Sequence, residues 1–358
     1  MSATILATGT LATKRRTVAG ILAQFGVADV PERELLRILR SAGLPARAMT
    51  DQDFPISVDR ELVVLSVMLG HMAADPRSPA RYVIETYSDA GINLYGILGL
   101  TMQHAATALE ALQVMLAYPE LCWGHSRIII EESDTEVVVR FAMGAPVPDG
   151  IDADDLCEYC VTLDLVSITR MLRDVLGDAV LPTAISLPFD DPGPAFDARR
   201  HLPCPVTFGA QAAEIHYPLE FPGAVPVHAG RLAFQRYEKI ARSFAHMLAD
   251  DAGSAEQTSR LLWAYTPPPS REQLADMLGI GVRTLARRLR SEGTSYNALL
   301  RQVQTERATN FLRQTATPIA EIAERMGYSD PAAFTRAFQS WTGMAPSRWR
   351  AERRGGDG

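Results

Sequence analysis

At about 150 residues per domain, a chain of 358 residues points to two or three domains. Hydrophobic residues make up 47% and charged residues 22%, close to the globular average, which excludes a disordered or fibrous chain. The richest apolar stretch, residues 62–69, is cut by Gly70 and His71. That falls far short of the roughly 20 apolar residues a membrane-crossing helix needs. The first residues carry no charge ahead of a weakly apolar run, and Lys14-Arg15-Arg16 follows it. This is the reverse of a secretory signal, so a cytoplasmic chain is expected. Four cysteines (Cys122, Cys157, Cys160, Cys204) are too few for a disulfide framework and agree with a reducing compartment.

The first 228 residues read as α+β. Residues 18–40, 58–74 and 98–116 have helical spacing, the last through Leu98, Met102, Ala105, Leu109, Leu112 and Leu116. Two β-branched runs, from Ile128 and from Val137, flank a turn at Ser133-Asp134 and read as a hairpin. Residues 151–176 form a helix whose first turn carries Asp152, Asp154 and Asp155, where carboxylates suit the positive end of the dipole. Short strands are expected at residues 185–189, 205–208 and 214–217.

Catalytic and metal motifs are absent from this part. Cys157-Glu-Tyr-Cys160 has CxxC spacing but lacks a second pair or a nearby His to complete a zinc site, so it reads as buried packing. Gly124-His-Ser126-Arg-Ile128 begins like a nucleophile elbow, but Ile128 stands where the elbow needs glycine. The seven histidines never fall in metal-ligand spacing. Neither a cofactor nor a metal is expected.

Residues 230–250 are amphipathic, with Tyr237, Ile240, Phe244, Met247 and Leu248 on one side and Arg236, Lys239, Arg242 and Ser243 on the other. This helix either packs on its own domain or makes a homodimer contact. Thr266-Pro-Pro-Pro-Ser270 then ends any preceding helix, and Ser270 followed by Glu272 and Gln273 reads as an N-cap opening a new helix. The boundary is placed there.

Charge changes across it. Residues 260–358 carry 15 Arg against 9 acidic residues, a net of +6, while the rest nets −13 within an overall −7. Such asymmetry suggests that the basic part meets a polyanion.

The basic part also repeats itself. Gln273-Leu-Ala-Asp-Met-Leu-Gly279 aligns with Glu321-Ile-Ala-Glu-Arg-Met-Gly327, and Leu285, Arg287 and Leu289 align with Phe334, Arg336 and Phe338. Each half has helix-turn-helix grammar: a small residue at the crossing (Ala275, Ala323), a turn glycine, then a helix with an apolar stripe. In the first repeat Val282, Leu285 and Leu289 face inward. Arg283, Arg287 and Arg290 face outward, with Thr284 and Ser291 at the margin. In the second, Phe334, Phe338 and Trp341 face inward, and Ala332, Ala333, Arg336, Gln339 and Ser340 face outward. Residues 295–313 form a continuous connecting helix, and Pro318 opens the next one. About 18 helical residues span roughly 27 Å, against about 34 Å for one turn of B-DNA.

The run Pro318-Ile-Ala-Glu-Ile-Ala-x-x-x-Gly327-Tyr-Ser-Asp-x-x-x-Phe334-Thr-Arg-Ala-Phe338-x-x-Trp341-x-Gly343-x-x-Pro346 resembles the signature of the AraC/XylS transcription regulators. Leu278-Gly-x-x-x-Arg283-Thr-Leu-x-Arg287-x-Leu289-x-x-Glu-Gly293 resembles their first motif. The resemblance implies a bacterial gene regulator, usually an activator working with RNA polymerase. It implies seven helices and two recognition helices in successive major grooves of double-stranded DNA. The family's base-contacting positions fall on Arg283, Ala286 and Arg287, and on Ala332, Ala333 and Arg336. Thr284, Arg290 and Gln339 share those outward faces and complete the expected DNA-binding set.

Tyr95-Gly-Ile-Leu-Gly99 with Thr107-x-x-Glu-Ala-Leu112, and Leu181-Pro-x-x-Ile-Ser-Leu-Pro188 with Pro205-Val-x-Phe208-Gly-Ala210, resemble the effector domain of the family's ornithine- and arginine-responsive branch. This implies a small organic effector, an amino acid, fatty acid or aromatic acid, at residues the sequence does not single out.

The expected architecture is an α+β N-terminal effector domain joined to an all-α C-terminal domain with two helix-turn-helix motifs linked by a long helix. Its parts are residues 1–228, a linker helix at 229–265, a DNA-binding domain at 266–354 and a tail at 355–358. The expected function is effector-responsive transcription regulation without enzymatic activity. A DNA-repair alkyltransferase sharing the DNA-binding module would need Pro-Cys-His-Arg, whereas Cys204 sits in Leu-Pro-Cys-Pro-Val.

Overall fold

The computed structural model describes residues 6–7, 16–17, 19–51, 54–72, 77–122, 124–144, 147, 152–193, 196–248, 253–265, 267–314, 318–328 and 330–354. Lys14-Arg15, Ala73, Ala74, Ile151, Thr266 and the tail 355–358 lie outside the described residues. The chain divides into one unit of Thr10–Ile130 with Asp134–Ala252, and another of Gly253–Gly358 with Met1–Gly9 and Glu131–Ser133.

In the first unit, the span expected as one helix from Val18, itself outside the described residues, to Arg40 holds two, α1 (Ala19–Val27) and α2 (Glu32–Ser41). Asp29 takes φ +50, and Pro31 at the N-cap of α2 holds extended backbone (φ −57, ψ 140). Proline has no N–H to continue the preceding helix, so the hydrophobic period runs across a break in the hydrogen bonding. A short pair follows, β1 (Arg16–Thr17) antiparallel to β2 (Pro55–Ile56). Helices α3 (Val58–Met72) and α4 (Pro79–Tyr87) come next, the latter capped by the Ser78 hydroxyl.

Residues 98–116 are likewise divided into α5 (Gly96–Gln103) and α6 (Ala108–Ala117). The Thr107 side chain accepts from the Glu110 N–H at 3.1 Å, and the Glu110 carboxylate takes the Ala106 N–H. The Thr107 hydroxyl is an N-cap, and with the Glu110 carboxylate held one residue further back it starts a new helix inside a continuous apolar pattern.

The hairpin is β3 (Ser126–Glu132) and β4 (Val137–Met143). Helix α7 (Ala153–Leu176) starts at Asp152, whose carboxylate accepts from the Asp154 N–H. Within this unit strands β5 (Ala184–Ser186), β6 (Val206–Thr207) and β7 (Ala213–Tyr217) join the hairpin in the order β3-β4-β7-β5-β6. Register pairs Val139 with Ile215 and Ile185 with Ile215, both antiparallel, while β5 and β6 run parallel. Val137, Val139 and Phe141 alternate inward with Ala213, Ile215 and Tyr217, as a sheet with one covered face requires. The cover is α7, which packs on β4 and β7 and also meets α3, α4 and α5. Cys160 is buried in α7, and Cys157 is half-buried.

Helix α8 (Arg231–Leu248) packs on α5 through buried Ala241 and Ala245. Glu238 accepts from the Tyr118 hydroxyl and from Arg242, which fixes the rotation of the helix. The inward face is therefore not the one the apolar spacing indicates. Ile240 and Phe244 stand outward, 37% and 44% exposed, beside Leu232 at 84%.

The second unit holds seven described helices: α9 (Ser254–Ala264), α10 (Arg271–Met277), α11 (Val282–Ser291), α12 (Tyr296–Gln314), α13 (Ile319–Arg325), α14 (Pro331–Thr342) and α15 (Pro346–Arg354). Helix α12 is the central strut, packed against α9, α14 and α15. Its Ala308, Phe311 and Leu312 join Ile322, Ala323, Met326, Phe334 and Phe338 in the C-terminal core, with Trp341 and Trp349 against it. Among the described residues no helix is long and apolar enough to cross a membrane.

Candidate nucleic-acid interface

The two helix-turn-helix units are built on one hydrogen-bond plan. In the first, Leu278 N–H donates to the Leu274 carbonyl, Gly279 to Asp276 and Ile280 to Ala275, at 3.0, 2.9 and 3.0 Å. In the second, Met326 donates to Ile322, Gly327 to Glu324 and Tyr328 to Ala323, at 2.9, 2.8 and 2.9 Å. The turn glycines have φ +63 and +82, a region where a side chain would be strained. Ala275 and Ala323 are buried at the crossings, where a larger residue would push the second helix away. The repeat in the sequence is thus a repeat in the backbone.

The helix starts differ. Helix α10 carries a full capping box, with Ser270 N–H donating to the Gln273 side chain at 2.8 Å and Gln273 N–H to the Ser270 hydroxyl at 3.2 Å. Pro318 is the N-cap of α13, one position earlier than the sequence reading has it, and Ile319 begins the helix. Helix α11 starts at Gly281 with no side-chain cap. Helix α14 starts at Asp330, whose carboxylate accepts from the Ala332 and Ala333 N–H groups at 2.9 and 3.1 Å.

On α11, Leu285 and Leu289 are buried, whereas Arg283, Arg287 and Arg290 are exposed and Thr284 and Ala286 are half-buried. Arg288 is also exposed and widens the basic face beyond the row read from the helical wheel. On α14, Phe334 and Phe338 are buried. Ala332, Arg336 and Gln339 are exposed, and Ala333 is half-buried at the edge. Both helices therefore keep the expected inside and outside. The Arg336 guanidinium lies 3.6 Å from Asp330, a pairing that periodicity does not reveal.

Helix α9 supports this scaffold from within the same unit, although it falls in the span expected to be a linker. Its first N–H groups, at Ser254 and Ala255, donate to the Glu292 carboxylate, each at 2.8 Å. At its other end the buried Arg307 guanidinium donates to the carbonyls of Leu262, Trp263 and Tyr265 at 2.8, 2.6 and 3.0 Å. Each charge meets the helix end of opposite partial charge. Burial pushes the Arg307 pKa down to about 10, which leaves it protonated at neutral pH. Helix α9 is thereby tied to residue 292 just past α11 and to α12.

Among the described residues no group of three His, Cys, Asp or Glu side chains is placed to hold a metal. Cys204 is buried, and that burial raises its thiol pKa to about 11, the opposite of an activated nucleophile. Ser126 is buried at the start of β3, not on a strand-to-helix turn.

Two exposed helices of basic or polar outer face, each behind a glycine turn on a shared α12, define a DNA-binding transcription regulator. Comparison with known families agrees. Residues 274–352 match the model described as "Helix-turn-helix domain", and residues 34–221, slightly more than half of the chain, match "Arabinose-binding domain of AraC transcription regulator, N-term". The chain belongs to the AraC family of transcription regulators.

Relatives include the HTH-type transcriptional regulator VqsM of Pseudomonas aeruginosa, 26% identical over 77% of this chain and 89% of that protein. The ornithine utilization regulator of the same organism is 28% identical over 72% and 75% of the two chains. Among solved structures, the transcriptional regulator CdpR from Pseudomonas aeruginosa matches 89% of this chain and 97% of its own, at 24% identity and a TM-score of 0.43.

Proposed function

We propose that the protein is a sequence-specific, cytoplasmic gene activator whose grip on DNA responds to a small organic effector held by its N-terminal unit. The observation that carries this reading is the pair of matched helix-turn-helix frames with outward Arg rows. Arg283, Thr284, Ala286, Arg287 and Arg290 would enter one major groove, and Ala332, Ala333, Arg336 and Gln339 the next. The first set is rich in groups that pair with guanine. The second offers methyl groups and one guanidinium. RNA polymerase is the protein partner that activation requires. The exposed Leu232, Ile240 and Phe244 of α8 suit a homodimer contact. The unactivated Cys204 supports a non-enzymatic reading over a DNA-repair alkyltransferase.

One relative is named for ornithine utilisation, and only the general pattern, a small molecule governing the response, is extended to this chain. The test is hydroxyl-radical footprinting of the full-length protein on sites selected from random DNA. Two protected segments about one helical turn apart are expected. A single protected segment would overturn the two-groove reading.

A further inference from the structure

The two helix-turn-helix frames agree in backbone, yet one pair of side chains occurs in the first alone. Arg271 opens α10, and its guanidinium lies over the ring of Tyr296, the first residue of α12, with Cζ 5.5 Å from the ring centroid. In the alignment of the repeats Ile319 stands in place of Arg271. Pro346 stands in place of Tyr296, each three residues past a glycine of left-handed backbone, Gly293 at φ +75 and Gly343 at φ +77. Ile319 packs on the C-terminal core. The second frame is therefore built without a cation or an aromatic ring at these positions, so the fold itself does not require the pair.

Both partners are held in place. The Tyr296 hydroxyl donates to the Pro269 carbonyl at 2.8 Å, which ties the ring to the segment leading into Arg271. The capping box of Ser270 and Gln273 fixes the backbone on either side of Arg271. Stacking on the ring removes side-chain freedom that the guanidinium would otherwise lose on meeting an anion.

Among the described residues no anion of the protein pairs with Arg271, which is exposed. Arg307, which lies over Trp263 in the same unit, is by contrast buried and committed to three carbonyls. Helix stability does not call for Arg271 either. A cation in the first turn opposes the dipole, and the neighbouring Glu272 is the residue that suits that end. A guanidinium with one face on a ring keeps its N–H edges for a planar or tetrahedral oxyanion, and a phosphodiester accepts two of them side by side. In a helix-turn-helix the first helix crosses the DNA backbone while the second enters the groove. Arg271 starts that first helix.

We propose that Arg271, laid on Tyr296, grips a DNA phosphate at the edge of the major groove that α11 enters, a contact the second repeat lacks. The proposal rests on the two-groove reading and deepens it. Arg271 fixes the register of α11 on the duplex and reads no base itself.

The test is ethylation interference with the full-length protein on a site selected from random DNA, the α11 half-site being the one whose base preference Arg287→Ala relaxes. Ethylation of a phosphate flanking that half-site is expected to block the wild-type protein, and Arg271→Gln should become indifferent to that phosphate alone. Arg271→Gln should also bind roughly fivefold more weakly, with unchanged base preference and a salt dependence flatter by about one unit. Arg271→Lys should keep the salt dependence and recover only part of the affinity, because an ammonium lacks the planar fork. Tyr296→Leu should weaken the wild-type protein and cost nothing further in Arg271→Gln. An interference pattern and salt dependence that Arg271→Gln leaves unchanged would overturn the contact even where affinity falls, since a merely structural loss does not single out one phosphate. Equal costs of Tyr296→Leu in both backgrounds would overturn the part given to the ring. If the wild-type protein selects no site, the DNA-binding reading fails and the contact with it. Where it protects both segments, a negative result for Arg271 strikes this contact alone.

Discussion

Arg336 lies with its guanidinium 3.6 Å from the carboxylate of Asp330, the residue that caps the helix Arg336 belongs to. Both side chains are largely exposed, so as an ion pair they contribute at most about 1 kcal/mol. The consequence is electrostatic and positional. The one cation on the outer face of α14 is held near an anion at the helix start. Asp330→Ala should destabilise the C-terminal unit by about 1 kcal/mol through loss of the cap. Asp330→Asn keeps an acceptor and removes the charge, so it should strengthen non-specific DNA binding. Urea melts and binding isotherms on random duplex check the two outcomes, and weaker binding by Asp330→Asn would refute the electrostatic role.

The Arg307 bonds make a prediction about where an autonomous DNA-binding fragment begins. A fragment from residue 266 loses the three carbonyls that Arg307 serves and uncovers the face of α12 on which α9 packs. A fragment from residue 253 keeps them, together with the Glu292 bonds to α9. The longer piece should therefore melt cooperatively and bind DNA like the full chain, while the shorter should melt earlier. Equal melting temperatures would mean that α9 is dispensable.

Asp164 gives a pH dependence of definite sign. Burial raises its pKa above the ordinary value of 3.8, opposed by the His125 charge and by the His125 and Ser126 N–H groups, which donate to its carboxylate at 2.7 and 2.6 Å. A folded-state acid with a raised pKa binds more protons than the unfolded chain, so its contribution to stability falls as pH rises through that pKa. The N-terminal unit should accordingly lose stability from this group as pH rises above the ordinary carboxylate value. Asp164→Asn should flatten that slope in denaturant titrations taken across the range.

What could be read in advance follows from which interactions are local. The C-terminal helices were legible because Leu285 with Leu289, and Phe334 with Phe338, repeat at helical spacing behind Gly279 and Gly327. Cap and turn chemistry announce themselves within four residues. Thr107 with Glu110 was equally local and marks the division between α5 and α6, yet the unbroken apolar pattern masks it. The orientation of α8 was not legible, because it depends on Tyr118 meeting Glu238 across 120 positions of sequence. The bonds of Asp164 were hidden for the same reason: the His125 and Ser126 N–H groups it accepts lie 39 and 38 positions away.

The two recognition helices should divide the work of DNA binding unequally. Helix α11 exposes Arg283, Arg287, Arg288 and Arg290, while α14 exposes Ala332, Arg336 and Gln339 on its outer face. A bidentate Arg–guanine pair discriminates by about 1–3 kcal/mol, so Arg287→Ala should lose about that much affinity and relax specificity at one half-site. Arg336, already shared with Asp330, is suited to phosphate. Arg336→Ala should weaken binding evenly across sequences and flatten the salt dependence by about one unit. Selection of sites from a random pool by each variant, followed by binding isotherms at several salt concentrations, separates the two behaviours. A base preference erased by Arg336→Ala and untouched by Arg287→Ala would reverse the assignment. It would make α14 the helix that reads sequence and α11 the one that grips the backbone.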